Sequence, residues 1–262
     1  MSETSFQYFS DIHLELYNEN QPKINRMFID KIKRQEQRAK YLLIPGDIGK
    51  PTSSSYQEFL ASLSFLYDKI FVTTGNHEYY SMPFDSTTKL DNYCRDICLN
   101  VPNKNVFFLQ NEVYAISETL SIFGGTFWTN IPQTKYSLVS NCINDYAKIP
   151  LFTPQTSCAL HEQAIFLLQS HIERNDKKRW IVMSHHMPSY SLIDSKYLTL
   201  AYNDINCAFA SDIATATDSK IIAWVYGHTH LPSVVGKYYC NPIGYPGENN
   251  NWSLDKSFTV AS

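Results

Sequence analysis

The sequence predicts an α/β protein whose layers enclose two β-sheets. Three observations carry that expectation. Short β-rich apolar runs alternate with longer amphipathic ones through the first hundred residues. The middle of the chain turns to closely spaced short runs with tight turns, and further apolar runs follow late. Residues able to do chemistry fall directly after the apolar runs. Such a sequence of elements is that of helices layered on sheets.

Taken in order, Phe6–Phe9 reads as a first strand, and Asp11 and His13 follow it. Residues 23–40 read as a charged amphipathic helix. Tyr41-Leu42-Leu43-Ile44 is a buried strand stopped by Pro45-Gly46, with Asp47 next. Residues 55–67 place Tyr56, Phe59, Leu60 and Leu63 on one helix face. Lys69–Thr73 is a third strand and runs into Gly75-Asn76-His77-Glu78. Residues 84–98 are helical, with Leu90, Cys94 and Cys98 along one side. Val106–Leu109, Val113–Ser117 and Leu120–Phe123 read together as a partly antiparallel meander. Residues 156–173 form the clearest helix. Trp180–Met183 and Ile221–Tyr226 are buried strands that lead into Ser184-His185-His186 and Gly227-His228-Thr229-His230. Residues 186–219 between them are irregular, a lid or a surface insertion. Val234-Val235 and Lys237–Cys240 are the last strands, and residues 241–247 are loop. No linker or repeat interrupts residues 1–262, which read as a single domain.

Composition narrows the function. A chain of 262 residues with 44% hydrophobic residues can bury a sizeable core. The formal net charge of -3 supplies no global basic field for long nucleic acid, so that partner is not favoured. No apolar run approaches the roughly 20 residues of a membrane span, and the first ten residues lack a signal-peptide pattern. The expectation is a soluble cytoplasmic protein with no membrane partner. The six Cys have no metal-finger spacing and read as reduced, mostly buried thiols.

Five strand ends thus deliver polar residues to one rim, which is where α/β sheets bind ligands. A lone Asp-x-His is weak evidence. A Gly-His-x-His is expected on the order of 0.01 times in a chain with nine Gly and eight His. Together, Asp11-Ile12-His13, Gly46-Asp47, Gly75-Asn76-His77-Glu78, Ser184-His185 and Gly227-His228-Thr229-His230 resemble the ordered motif set of calcineurin-like metallophosphoesterases. Gly124–Thr129 and Asn241–Tyr245 resemble bacterial-type members of that family. The resemblance implies a four-layer α-β-β-α sandwich. It implies that Asp11, His13, Asp47 and His230 hold one metal, that Asp47, Asn76, His185 and His228 hold a second, and that Asp47 bridges. His77 would face the substrate and assist the leaving group.

The chemistry of those residue types agrees. Two metals about 3.5–4 Å apart need a bridging carboxylate, and a water bridging them becomes a hydroxide nucleophile near neutral pH. Mixed nitrogen and oxygen donors without thiolate suit Mn, Fe, Zn or Co. Two divalent ions, two Asp and one hydroxide leave roughly one net positive charge, which attracts a phosphate. The reading is therefore a phosphoesterase acting on a small phosphate mono- or diester. A protein phosphatase is disfavoured because Gly46-Asp47-Ile48-Gly49-Lys50 lacks the Arg of the protein-phosphatase motif. A nuclease has little room for DNA-binding regions, and a non-catalytic scaffold would not keep all seven ligands and His77.

Other residues are weaker candidates. His186 is the alternative to His185 as ligand. Glu78 reads as a loop organiser, and His161 and His171 as structural. Tyr79, Tyr80 and Trp128 could wall a substrate pocket or simply pack as aromatics.

Overall fold

In the computed structural model, which describes residues 3–35, 38–80, 83–249 and 251–261, the strand runs become eleven strands in two sheets. The elements run β1 (Glu3–Tyr8), α1 (Gln21–Lys33), β2 (Tyr41–Pro45), α2 (Ser54–Ser64), β3 (Lys69–Thr73), α3 (Thr87–Leu99) and β4 (Val106–Phe108). Then come β5 (Glu112–Ala115), β6 (Leu120–Gly125), α4 (Tyr136–Cys142), α5 (Asp145–Lys148), α6 (Pro154–Glu173), β7 (Arg179–Ser184), β8 (Ile221–Tyr226), β9 (Ser233–Val235), β10 (Tyr238–Cys240) and β11 (Ser257–Ala261). One sheet has the order β11-β1-β2-β3-β4 and the other β5-β6-β7-β8-β10-β9. Both are mixed. β1 to β4 pair parallel with β11 antiparallel on the edge, and β6, β7, β8 and β10 pair parallel between antiparallel β5 and β9.

The period of two along each central strand decides the layering. Leu42 and Ile44 of β2 join Phe28, Ile32, Phe59, Leu63, Leu90 and Cys94 in a core under α1, α2 and α3. Their neighbours Tyr41 and Leu43 point the other way, onto Ile181, Met183, Ala223 and Val225 of the second sheet. Trp180, Val182 and Trp224 then bury against Ala164, Leu168 and Ile172 of α6. Both faces of both sheets are covered, so their strands read as unbroken apolar runs. The result is the expected four-layer α-β-β-α sandwich.

Helix starts follow capping chemistry. The side chains of Ser53, Ser86 and Thr153 accept backbone N–H groups at the first turns of α2, α3 and α6, and Pro154 occupies the first position of α6.

Three expectations need correction. The helix expected over 23–40 stops at Lys33. Ile32 is its last buried side chain, Gln35 turns away to bond Leu254 and Asp255, and residues 36 and 37 lie outside the described residues. The meander is split. Val106–Phe108 pairs parallel with β3 in the first sheet, and only β5 and β6 form an antiparallel pair. The strand β11 was not anticipated; it pairs with β1 from Glu3 to Gln7.

Among the described residues no helix is long and apolar enough to cross a membrane. The six cysteines are unpaired, and Cys94, Cys98, Cys207 and Cys240 are buried.

Candidate metal centre

Each polar motif sits where a parallel strand ends, and the backbone there is bent sharply. Asp11, His13, Asp47, His228 and His230 all adopt positive φ, between 50° and 68°. These are left-handed conformations that non-glycine residues rarely take and that cost on the order of 1–3 kcal/mol each. The surroundings hold them. The backbone N–H groups of Ile12 and His13 both donate to Asp47 O, and Gly244 N–H donates to Asp11 O. His228 N–H donates to the Asp11 carboxylate at 3.0 Å. Glu78, fully buried, accepts from Asp47 N–H (3.0 Å), Ile48 N–H (2.7 Å) and Gly75 N–H (2.7 Å). It is the loop organiser the sequence suggested. Gly75 is required by close approach: a Cβ there would lie 2.2 Å from Asp47 Oδ1.

These bends aim two sets of atoms inward. In the first, His13 Nε2 and His230 Nε2 face each other at 3.0 Å, and His230 Nε2 is 3.4 Å from Asp11 Oδ1. In the second, His185 Nε2 lies 3.0 Å from Asn76 Oδ1 and 3.1 Å from His228 Nδ1. Asp47 Oδ2 stands between them, 3.6 Å from His13 Nε2 and 3.5 Å from His185 Nε2.

The far side of each group fixes what it presents. His185 Nδ1 is 2.9 Å from Pro45 O, which can only accept, so Nδ1 carries the proton and Nε2 is left as a lone pair. His13 Nδ1 meets Glu15 at 3.0 Å, with the same effect, and His230 Nδ1 meets Glu248 at 2.6 Å, which orients its ring with Nε2 inward. The Asn76 amide NH2 donates to Asp145 Oδ1 (2.7 Å) and Tyr80 OH (3.1 Å), which turns its oxygen inward. The inward atoms are thus predominantly acceptors packed within contact of one another, an arrangement that requires positive charge at its centre.

Titration tells the same story. Burial opposes a charge on Asp11, but the hydrogen bond and charge of His230 outweigh it and hold its carboxyl well below the usual range. Burial likewise disfavours protonated His230, yet Asp11 and Glu248 raise it to about 9. A proton is drawn to the place a cation would take. Burial keeps His185 down at about 4 and His228 well below its ordinary value, so both stay neutral donors. Burial, with the charges of Glu78 and Asp11, pushes Asp47 well up. The groups present fit bound cations, and Asp11-His13-His230 and Asp47-His185-His228 each bring three donor atoms close enough to share one.

His77 stands beside these sets. Its ring stacks on Tyr80 (4.3 Å between centroids), and its Nε2 is 3.4 Å from Tyr245 OH. Its Nδ1 lies 3.0 Å from Glu15 Oε1. Burial favours neutral Glu15, but the hydrogen bonds of His13 and His77 bring its carboxyl down to about 2. Glu15, Asp145, Tyr245 and Glu248 were missed from the sequence. Glu15 left a trace, continuing the alternation Asp11-x-His13-x-Glu15, and Tyr245 closes the segment Asn241–Tyr245 singled out above without a role.

His186 turns away, with Nδ1 3.3 Å from Thr126 O. His161 Nδ1 bonds the carbonyls of Phe127 and Trp128. Tyr80 lines the cavity beside the centre, whereas Tyr79 and Trp128 do not. Tyr79 is buried with its hydroxyl on Thr74 and Asp91, and Trp128 packs on Phe152. Their aromatic area is spent in the core.

A fold of this kind with this rim defines a hydrolase of phosphate-ester bonds. The chain belongs to the calcineurin-like phosphoesterase family, whose model matches residues 6–232. The family is metal-dependent. "Uncharacterized protein L509" of Acanthamoeba polyphaga mimivirus is 30% identical over 273 residues, covering 94% of this chain and 93% of the relative. The crystal structure of phosphopantetheinyl hydrolase (PptH) from Mycobacterium tuberculosis shares the fold. Its TM-score is 0.68 at 16% identity, over 93% of this chain and 90% of that one.

Proposed function

We propose that this chain is a dinuclear metallophosphoesterase that hydrolyses the phosphate ester of a small molecule. One observation carries the reading: Asp47 Oδ2 lies between two acceptor sets, within 3.6 Å of the inward nitrogens of both. Asp11, His13 and His230 with Asp47 would hold one ion, and Asn76, His185 and His228 with Asp47 the other. Nitrogen and oxygen donors without thiolate favour Mn, Fe, Zn or Co. Bound there, the two ions supply charge against the phosphate oxygens and an activated water.

The protein's own part is to orient and to move a proton. Glu15 sets the tautomer and tilt of both His13 and His77 through their Nδ1 atoms. With Nδ1–H on Glu15, the imidazolium form of His77 carries its second proton on Nε2, facing the cavity beside Tyr245 OH, from where it can pass to the leaving oxygen. Asp145 holds Asn76 and Tyr80 in place. The segment after β7, the possible lid, lines the cavity through Met187, Ile193 and Phe209, and the Phe209 ring stacks on His228. That a phosphopantetheinyl hydrolase shares the fold supports a small phosphorylated substrate.

The test pairs metal analysis with turnover. Protein loaded in turn with Mn, Zn and Co is assayed on a generic aryl phosphate monoester and diester. About two ions per chain with turnover of at least one ester is expected. One ion per chain at full activity would remove the bridging role of Asp47.

A further inference from the structure

The cavity beside the centre is about 580 Å³, within the roughly 300–1,000 Å³ typical of small-molecule sites and far more than one phosphate needs. Its composition is lopsided. Asp47, Asn76, His77, His228 and His230 form one end. Away from them the wall is mostly apolar, with Leu192, Ile193, Tyr197, Ile205 and Val235 beside the polar Ser191, Asp194 and Asn206. The charged side chains that line it are the acids Asp47, Asp145, Asp194 and Glu248, and among the described lining residues there is no Lys or Arg. Three lysines stand just outside that lining: Lys135 pairs with Asp204 at 3.3 Å, and Lys148 and Lys196 lie over the rings of the lining residues Tyr80 and Tyr197.

Sites that read two or more phosphates supply Lys or Arg for each, because a desolvated phosphate without a counter-charge is expensive. Among the described lining residues, positive charge is offered only at the metal end, and Lys148 and Lys196 are held on aromatic rings. A second phosphate, or any distant anion, would be pressed against apolar surface and the carboxylate of Asp194. We infer that the substrate carries a single phosphate on an otherwise largely apolar group that is neutral or cationic at its far end. Bisphosphates, polyphosphates and nucleic-acid strands are rejected by the wall. The inference rests on the phosphoesterase reading and narrows its substrate.

The experiment separates the two. Metal-loaded protein is first given phenyl phosphate and a matching phenyl diester; no turnover of either with any metal would defeat the phosphoesterase reading itself. With turnover established, kcat/KM is measured for ethyl phosphate, octyl phosphate, 8-aminooctyl phosphate and octane-1,8-diyl bisphosphate. Octyl and aminooctyl phosphate are expected at least tenfold above both ethyl phosphate and the bisphosphate, a difference of about 1.4 kcal/mol. A bisphosphate turned over as well as octyl phosphate, or ethyl phosphate equal to octyl, would overturn the assignment. Asp194→Asn keeps a side-chain oxygen for the Lys196 N–H it now caps at 2.9 Å, so the loop is preserved. It should narrow the octyl-to-bisphosphate ratio at least threefold, and an unchanged ratio would remove charge as the discriminator.

Discussion

Oε1 of Glu15 lies 3.0 Å from Nδ1 of His77. The same oxygen is 3.0 Å from Nδ1 of His13. One carboxylate thus ties the histidine we propose as proton donor to a histidine of the first acceptor set. Glu15→Gln should lower kcat roughly 10–100-fold with metal saturating, and weaken metal binding by a similar factor. The double variant with His77→Ala should be little slower than His77→Ala alone, because the two act as a unit. Multiplying losses in the double variant would show that Glu15 does not act through His77.

His77→Ala tests proton donation directly. It should keep full metal content and lose about 10²–10⁴-fold in rate on an alkyl phosphate. The loss should shrink on a nitrophenyl phosphate, whose leaving group needs no proton. Equal losses on both esters would assign His77 to binding.

Asp47→Asn should reduce metal occupancy in both acceptor sets, because Asp47 Oδ2 is near nitrogens of each. Metal titration followed by mass spectrometry or elemental analysis reads the stoichiometry. Two ions retained at unchanged affinity would sink the bridging assignment.

Away from the centre, burial pushes the carboxyl of Asp91 up to about 6, against the hydrogen bonds of Tyr79 and Gln110 that favour its charge. Its unfolded value is about 3.9. The folded state therefore binds the proton more tightly. The contribution to stability is full below about pH 4, is lost as pH rises to about 6, and stays lost above. Asp91→Asn still accepts the Tyr79 hydroxyl, now bonded at 2.6 Å. It should raise stability at pH 7 on the order of 2 kcal/mol and flatten the pH dependence between 4 and 6. Urea midpoints across that range measure it; an unchanged slope with no gain at pH 7 would refute the argument.

The residues of the centre were legible because the fold puts them at strand ends, where a period-two apolar run stops and Asp, Asn or His begins. Their outer partners were not. Asp145 reaches Asn76 from α5, and Glu248 reaches His230 from a loop after β10, and neither lies in a motif with its partner. Strand membership was lost where runs are short. Val106–Phe108 has three residues, too few to say which sheet takes it, and Ser257–Ala261 hides its alternation among polar residues. Tyr79 and Trp128 show a further limit: an aromatic beside a motif is wanted equally by core and pocket, and only packing decides.

The closing contacts come from the far end of the chain. Asn241 O accepts from Ser10 N–H, Gly244 N–H bonds Asp11 O, and β11 completes the sheet beside β1. Asp11 and His228, which bond directly, are 217 residues apart. At roughly 5–20 residues per second, a ribosome needs on the order of 10–40 s to make the second after the first. Throughout that interval Asp11 and His13 have been translated without His228, His230 or Glu248. On the proposed donor set, metal capture is therefore a late event in the life of each molecule, one that follows translation of residues 11 to 230.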